Sequence, residues 1–311
     1  MRVIVVGTPA IAIPTLDALL ASSHDVVAVV TRPDATGRRG SELIPSPLKA
    51  HALKKGLEVL TPERASAPEF VERVRALECD AAAVIAYGQI LKPDLLAAVR
   101  IGWVNLHFSV LPSWRGAAPV QRAIMAGDEV TGASTFLIEE GLDTGPVIGT
   151  LTERIRRTDT AGDLLDRLAV AGAPLMVDSL TALEDGTASP VPQPDEDVSY
   201  AHKLTRDDAH IRWELPAHVV DRQIRGCTPA PGAWTTLPNG TLAKVGPVSP
   251  RGDMPGGAPG TLREALGVIV VNTGTEPVEM SWIAPAGKAR MAADAWWRGA
   301  RLARGAQLGE A

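Results

Sequence analysis

The feature that most constrains the fold is a recurring pattern of short apolar runs that stop at a glycine or a turn. Residues 2–6 read RVIVV and end at Gly7. A run without polar alternation suits a strand covered on both faces, as in a parallel sheet. The apolar spacing after Pro9, over 8–22, predicts a helix, and DVVAVVT over 25–31 predicts a second strand. Strand, helix, strand at this spacing is a βαβ unit. The alternation continues, with helices predicted over 47–56, 70–79, 90–99 and 120–128. Further strands are predicted over 57–62, 81–87, 102–109 and 134–140. A mostly parallel sheet with helices on both faces follows.

A chain of 311 residues is too long for one ordinary core. Residues 161–185 read as one or two helices, and a polar, Pro-rich stretch from 186 to 197 reads as a linker. Past 207 the texture changes: AWTTL, LAKVGPV, GVIVVN and VEMSWI alternate with Gly and Pro turns. This is an all-β pattern, a small barrel or sandwich. The expected division is therefore a Rossmann-like α/β domain over 1–187, a linker over 188–206 and a β-domain over 207–311. Residues 32–47, RPDATGRRGSELIPSP, have no periodicity and form a loop long enough to carry function.

Composition removes several classes. A net charge of −5 argues against a surface coated in nucleic acid, though a local basic face remains open. The two cysteines, Cys79 and Cys227, form no CxxC pair, so neither a structural zinc nor a disulfide framework is expected. MRVIVVG shows no signal-peptide pattern, and no apolar run reaches the roughly 20 residues a membrane helix needs. A cytoplasmic protein is expected. The first βα turn, GTPAIA, lacks the dinucleotide fingerprint, and no P-loop, HExxH or GxSxG motif occurs.

The chemistry gathers in NLHFSVLPSWRGAAP, over 105–119. Ligands of open parallel sheets bind at the carboxyl ends of the strands, where this segment sits. Asn105 and His107 are two apart on a strand and point to one face. The bland alternative is a buried pair satisfied by local backbone. Side by side, however, an amide can stabilise a growing oxyanion and an imidazole can exchange a proton near neutral pH. That pairing suits attack by an amine on a carbonyl carbon. An acid would support the imidazole. Asp143 in EEGLDTGPV is the best placed, with Glu139 and Glu140 as competitors that spacing alone does not remove.

NLHFSVLPSWRGAAP resembles the signature of folate-dependent formyltransferases, Asn-x-His-x-Ser-Leu-Leu-Pro followed by Trp-Arg-Gly-Ala-Ala-Pro. Asn105, His107, Ser109, Leu111, Pro112 and Trp114 to Pro119 match, and Val110 stands where the family usually has Leu. GLDTG over 141–145 matches the acidic motif, as do GTP at 7–9, AYGQIL at 86–91 and SYAHKLTRDDAHIRW at 199–213. The resemblance thus covers nearly the whole chain. It implies catalytic roles for Asn105, His107 and Asp143, the last orienting His107. It also implies a co-substrate, 10-formyltetrahydrofolate, with its pterin near Ile85, Ala86, Tyr87 and Gly88 and near the turn of Ser109, Val110, Leu111 and Pro112, and no metal. The implied acceptor is the α-amine of initiator methionyl-tRNA. Arg38 and Arg39 of the long loop would touch it, as would Lys203, while the family's further loop lysines are replaced by Ser41 and Glu42. The C-terminal region resembles an OB-like barrel that supports tRNA, with Lys244, Lys288, Arg290, Arg298, Arg301 and Arg304 as its basic residues. Trp296 and Trp297 beside them suit core packing better than base stacking. The resemblance implies a cytoplasmic monomer without a membrane partner. Two alternatives share its motifs: a formyltransferase acting on a small amine, and a hydrolase releasing formate from the folate.

Overall fold

The structure is a computed structural model that describes residues 1–36 and 42–309. Its contacts divide into two compact units. The first holds 1–119, 130–154 and 165–201; the second holds 120–129, 155–164 and 202–311. The units are therefore not contiguous in sequence, unlike the expected division at 187–207. Residues 120–129 and 155–164 group with the C-terminal part, where Met125 packs against its apolar core.

The first unit is built on β1 (Arg2–Gly7), β2 (Asp25–Val30), β3 (Val59–Leu60), β4 (Ala81–Ile85), β5 (Gly102–His107), β6 (Val130–Leu137) and β7 (Val147–Arg154). Their order across the sheet is β7-β6-β5-β4-β1-β2-β3. Strands β3, β2, β1, β4 and β5 run parallel, and β6 is antiparallel to both β5 and β7. Val3, Ile4, Val5 and Val6 are fully buried. Burying such side chains stabilises by about 1.5–3 kcal/mol each, which explains the unbroken apolar run.

Helices cover both faces. On one, Ile4, Val6, Ala82, Val84 and Trp103 share a core with Phe70, Val71 and Val74 of α3 (Pro68–Ala76) and Leu95 of α4 (Pro93–Leu96). The other face carries α1 (Ile13–Leu20), α2 (Pro47–Lys54) and α6 (Ala161–Glu184), the last close enough that a side chain added at Gly172 would meet Leu106 at 2.9 Å. Helix α2 starts where it does because Pro47 fits the first turn and the Ser46 hydroxyl accepts from Lys49 N at 3.2 Å.

The structure adds to three expectations. Within the loop expected over 32–47, Ala35–Thr36 pairs antiparallel with Leu43–Ile44. The strand expected over 134–140 is β6, shifted to Val130–Leu137, and it is followed by β7, an edge strand whose alternating exposure hid it from a search for apolar runs. The expected linker is bound to the first unit as far as Ala201. Val191 exchanges two hydrogen bonds of 2.8 Å with Val147, and Tyr200–Ala201 pairs parallel with Arg115–Gly116.

The second unit has two four-stranded antiparallel sheets. One is β8 (Trp234–Thr236), β9 (Leu242–Val245), β14 (Trp282–Pro285) and β15 (Met291–Ala292) in that order. The other orders β10 (Val248–Pro250), β13 (Val278–Met280), β12 (Val268–Val271) and β11 (Leu262–Ala265). Val245 and Ile283 from the first meet Val248, Leu262, Val271 and Val278 from the second in one apolar core. Two helices not expected from the sequence complete it: α7 (Ala217–Gly226), which buries Val220 and Ile224, and α8 (Ala293–Ala300), which buries Trp296. Helix α5 (Pro119–Ala126) begins at the boundary between the units.

Candidate active site

Register places Asn105 and His107 at the carboxyl end of β5. Trp103, Asn105 and His107 share one face of β5; Trp103 is core, and the two polar residues extend that face to the strand end. Val84 is the neighbour of Asn105 on β4, so the chain after Ile85 emerges beside it. On the other side Phe136 pairs with Asn105, and its ring meets His107 edge-on with centroids 6.4 Å apart.

His107 is 5% exposed, and its Nε2 lies 2.9 Å from the Trp114 carbonyl oxygen. A carbonyl only accepts, so Nε2 carries the proton and Nδ1 of the neutral ring is a free base. Nδ1 faces Asp143, whose Oδ2 is 3.7 Å away. That Oδ2 also accepts from Gly116 N at 2.7 Å. Asp143 is thus half-buried and held by backbone, whereas Glu139 and Glu140 are exposed. The geometry separates the three carboxylates that spacing left together. The Trp114 carbonyl holds the imidazole at Nε2, and the Asp143 carboxylate stands at ion-pair distance from Nδ1. Burial pushes the His107 pKa below its ordinary value, against the opposing pull of the Asp143 carboxylate and the Trp114 carbonyl.

Asn105 is half-buried, and its side-chain amide has no hydrogen-bond partner among the described residues. Its donors remain available to a bound oxygen. Both loops that complete the site use left-handed backbone at non-glycine residues, Trp114 at φ 60° and Asp143 at φ 52°. Such positions cost of order 1–3 kcal/mol and persist only where surrounding contacts hold them.

Two family models bear on the chain. One described as formyl transferase matches residues 1–180, and one described as formyl transferase, C-terminal domain, matches residues 203–301. The chain belongs to the formyl transferase family. Among its similar relatives is the methionyl-tRNA formyltransferase of Streptomyces griseus subsp. griseus, 53% identical over 99% of this chain and 100% of that protein. The methionyl-tRNA formyltransferase of Mycobacteroides abscessus is 54% identical over 97% of this chain and 98% of that one. Solved structures share the fold. HypX from Aquifex aeolicus in complex with tetrahydrofolic acid gives a TM-score of 0.69 at 15% identity, over 98% of this chain and 48% of that one. WlaRD, a sugar 3N-formyl transferase, gives 0.66 at 17% identity, over 93% of this chain and 99% of that one.

In this formyl transferase the other expected site residues divide. Ile85 and Tyr87 are buried, while Ala86 (φ 49°) and Gly88 (φ 78°) are exposed with left-handed backbone. The Tyr87 hydroxyl is buried with no partner among the described residues, and burial pushes its pKa up to about 12. The Ser109 turn is internally committed. Its hydroxyl donates to Ser113 O at 2.6 Å, its carbonyl accepts from Ser134, and Leu111 N donates to Ser134 Oγ. Ser109 therefore builds the turn, and Val110 and Pro112 are the members left half-exposed. Lys203 is exposed, as are Lys244, Lys288, Arg290, Arg298, Arg301 and Arg304. Trp296 is 7% exposed and sits in the second unit's core, with Trp297 packed against it. Arg38 and Arg39 lie outside the described residues. Among the described residues no group of three or more His, Cys, Asp or Glu could hold a metal ion, and no helix is long and apolar enough to cross a membrane.

Sequence reasoning missed Gln193. Its Nε2 donates to both Asp143 O and Gly145 O at 2.8 Å, and its Oε1 accepts from the Arg115 guanidinium at 2.9 and 2.8 Å. Arg115 lay in a motif that pointed to the site, and nothing in the Pro-rich stretch marked its partner.

Proposed function

We propose that this chain transfers the formyl group of 10-formyltetrahydrofolate to the α-amine of initiator methionyl-tRNA, as a cytoplasmic monomer. The observation that carries the reading is the likeness to methionyl-tRNA formyltransferases along the entire chain, second unit included, together with Asn105, His107 and Asp143 at one strand end.

The folate supplies an activated formyl carbon. The exposed backbone at Ala86 and Gly88 is the part of the first unit best suited to the polar edge of a flat heterocycle, since left-handed residues turn successive amides outward. Val110 and Pro112, half-exposed on the turn after β5, offer apolar contact. Asn105 donates its amide hydrogens to the oxygen on which charge grows as the amine adds. His107 Nδ1, free in the tautomer fixed by Trp114, takes the amine proton and returns it to the folate nitrogen as the bond from that nitrogen to the formyl carbon breaks, releasing tetrahydrofolate. Asp143 stabilises the imidazolium so formed, offsetting the burial that disfavours it. For the acceptor, Arg38, Arg39 and Lys203 are assigned to the tRNA backbone by charge and by their place in the motifs.

The test is a formylation assay with 10-formyltetrahydrofolate and three acceptors: charged initiator tRNA, free methionine or an amino sugar, and water alone. Transfer to the tRNA at a kcat/KM at least about a hundredfold above the small amines supports the reading. Preference for a small amine, or formate release without an acceptor, overturns it.

A further inference from the structure

We propose that residues 191–201 form a brace for the active-site loops, with Gln193 as the positioning residue that sets where the Asp143 carboxylate stands relative to His107. This rests on the catalytic roles proposed above. The segment looks like a linker in sequence but is hydrogen-bonded to the rest of the first unit at Val191, Gln193, Ser199 and Ala201. Val191 pairs with Val147, just past the acidic loop. Gln193 bonds the Asp143 and Gly145 carbonyls with one end of its amide and Arg115 with the other. Ser199 Oγ accepts from Trp114 N at 2.9 Å, and Ser199 O accepts from Arg115 N at 2.9 Å. Tyr200 and Ala201 then run beside Arg115 and Gly116.

These contacts converge on the two strained residues that define the site. Trp114 and Asp143 both hold positive φ. The Trp114 carbonyl fixes the His107 tautomer, and the Gly116 amide holds the Asp143 carboxylate. The brace bonds Trp114 at its amide, flanks Gly116 through bonds to Arg115 N and Ala118 N, and bonds Asp143 at its carbonyl. Gly116 is required here. Its φ is 124°, and an added Cβ would stand 2.8 Å from Ala201 O. Gly145 is required too, since a Cβ there would fall 1.7 Å from Leu137 O. The two catalytic loops share few direct bonds, and the Gln193 amide bridges them at four. Arg115 is 7% exposed, and its two guanidinium bonds to Oε1 fix which way the amide faces. The NH2 therefore points at the carbonyls, which accept only.

The experiment compares Gln193→Ala and Gln193→Glu with the unaltered chain in steady-state formyl transfer. The glutamate keeps the Arg115 contact and the size but turns an oxygen toward two carbonyls. In both folded variants kcat is expected to fall by about 10- to 100-fold, as for small displacements of a catalytic group, with KM for folate and acceptor within about threefold. The acid limb of the kcat–pH profile should move to lower pH, because a displaced Asp143 no longer favours protonated His107. A folded variant with unchanged kcat overturns the proposal, as does a loss confined to KM. Recovery of kcat in Gln193→Glu overturns it too, since retention of Arg115 would then be the whole role. Unfolding of both variants, read by circular dichroism, assigns Gln193 to stability alone and equally overturns it. Activity of the unaltered chain on a different acceptor would change the proposed function and leave this comparison intact.

Discussion

Asp143→Asn is the sharpest probe of the site, because it removes a charge and almost nothing else. The amide retains an oxygen to accept from Gly116 N, so the loop keeps its anchor. What disappears is a negative charge 3.7 Å from His107 Nδ1. At that separation and an effective dielectric of about 20, the interaction with an imidazolium is worth roughly 4 kcal/mol. The Asp143 side chain is 19% exposed, so solvent screening reduces this to about half. Lost from the transition state alone, about 2–4 kcal/mol corresponds to a fall in kcat of roughly 30- to 1000-fold. The pH dependence has a definite sign. Burial already pushes His107 below its ordinary pKa and the Asp143 charge opposes it; without that charge burial is less opposed, and His107 falls further. The base is active when neutral, so the rate is lost as pH falls through its pKa. The acid limb of the variant must therefore lie at lower pH, beneath a lower plateau. Steady-state kinetics between about pH 4 and 9 read both effects. A plateau within a few-fold of the unaltered enzyme, or a limb displaced upward, refutes the argument.

Asn105→Ala should lower kcat by about 10²–10³ with little change in folding, as for loss of one oxyanion donor; thermal unfolding and kcat measured together check this. Ser109→Ala leaves the Ser113 carbonyl without its buried donor, so stability should fall by about 1–3 kcal/mol in a urea titration. In the second unit, bonds from Thr205 and the Arg122 ion pair hold the Asp208 carboxyl down at about 2. A depressed acid stabilises above its unfolded pKa of about 3.9, and that stabilisation is lost as pH falls through the folded value. The stability difference between the unaltered chain and Asp208→Asn should therefore shrink between pH 4 and about 2, measured as urea midpoints.

What was legible in the sequence follows from how local each signal is. Strands β1, β2, β4 and β5 are covered on both faces, so composition alone marks them. Strand β7 lies at the sheet edge with alternate residues exposed, and it offers no such run. Helix α7 was hidden by buried polar residues. Gln223 and Arg225 look like surface positions, yet Gln223 donates to the Asp208 and His210 carbonyls and Arg225 to Asp159 O. Such residues become interior only when partners distant in the chain satisfy them.

The same reasoning explains the site. Asn105 and His107 were readable as a pair because strand periodicity is a local rule. Spacing left Asp143 as one of three carboxylates and only the resemblance of its GLDTG motif singled it out, because its place depends on an amide 27 residues away, Gly116 N. Gln193 was not readable at all, since it acts on a loop 50 residues away from within a Pro-rich stretch that resembles a tether. Yet a site with left-handed Trp114 and Asp143 needs holding from outside its own motifs. The two motifs carry the groups assigned to the reaction. The segment that looks most like slack carries the bonds that keep those groups at 3.7 Å rather than apart.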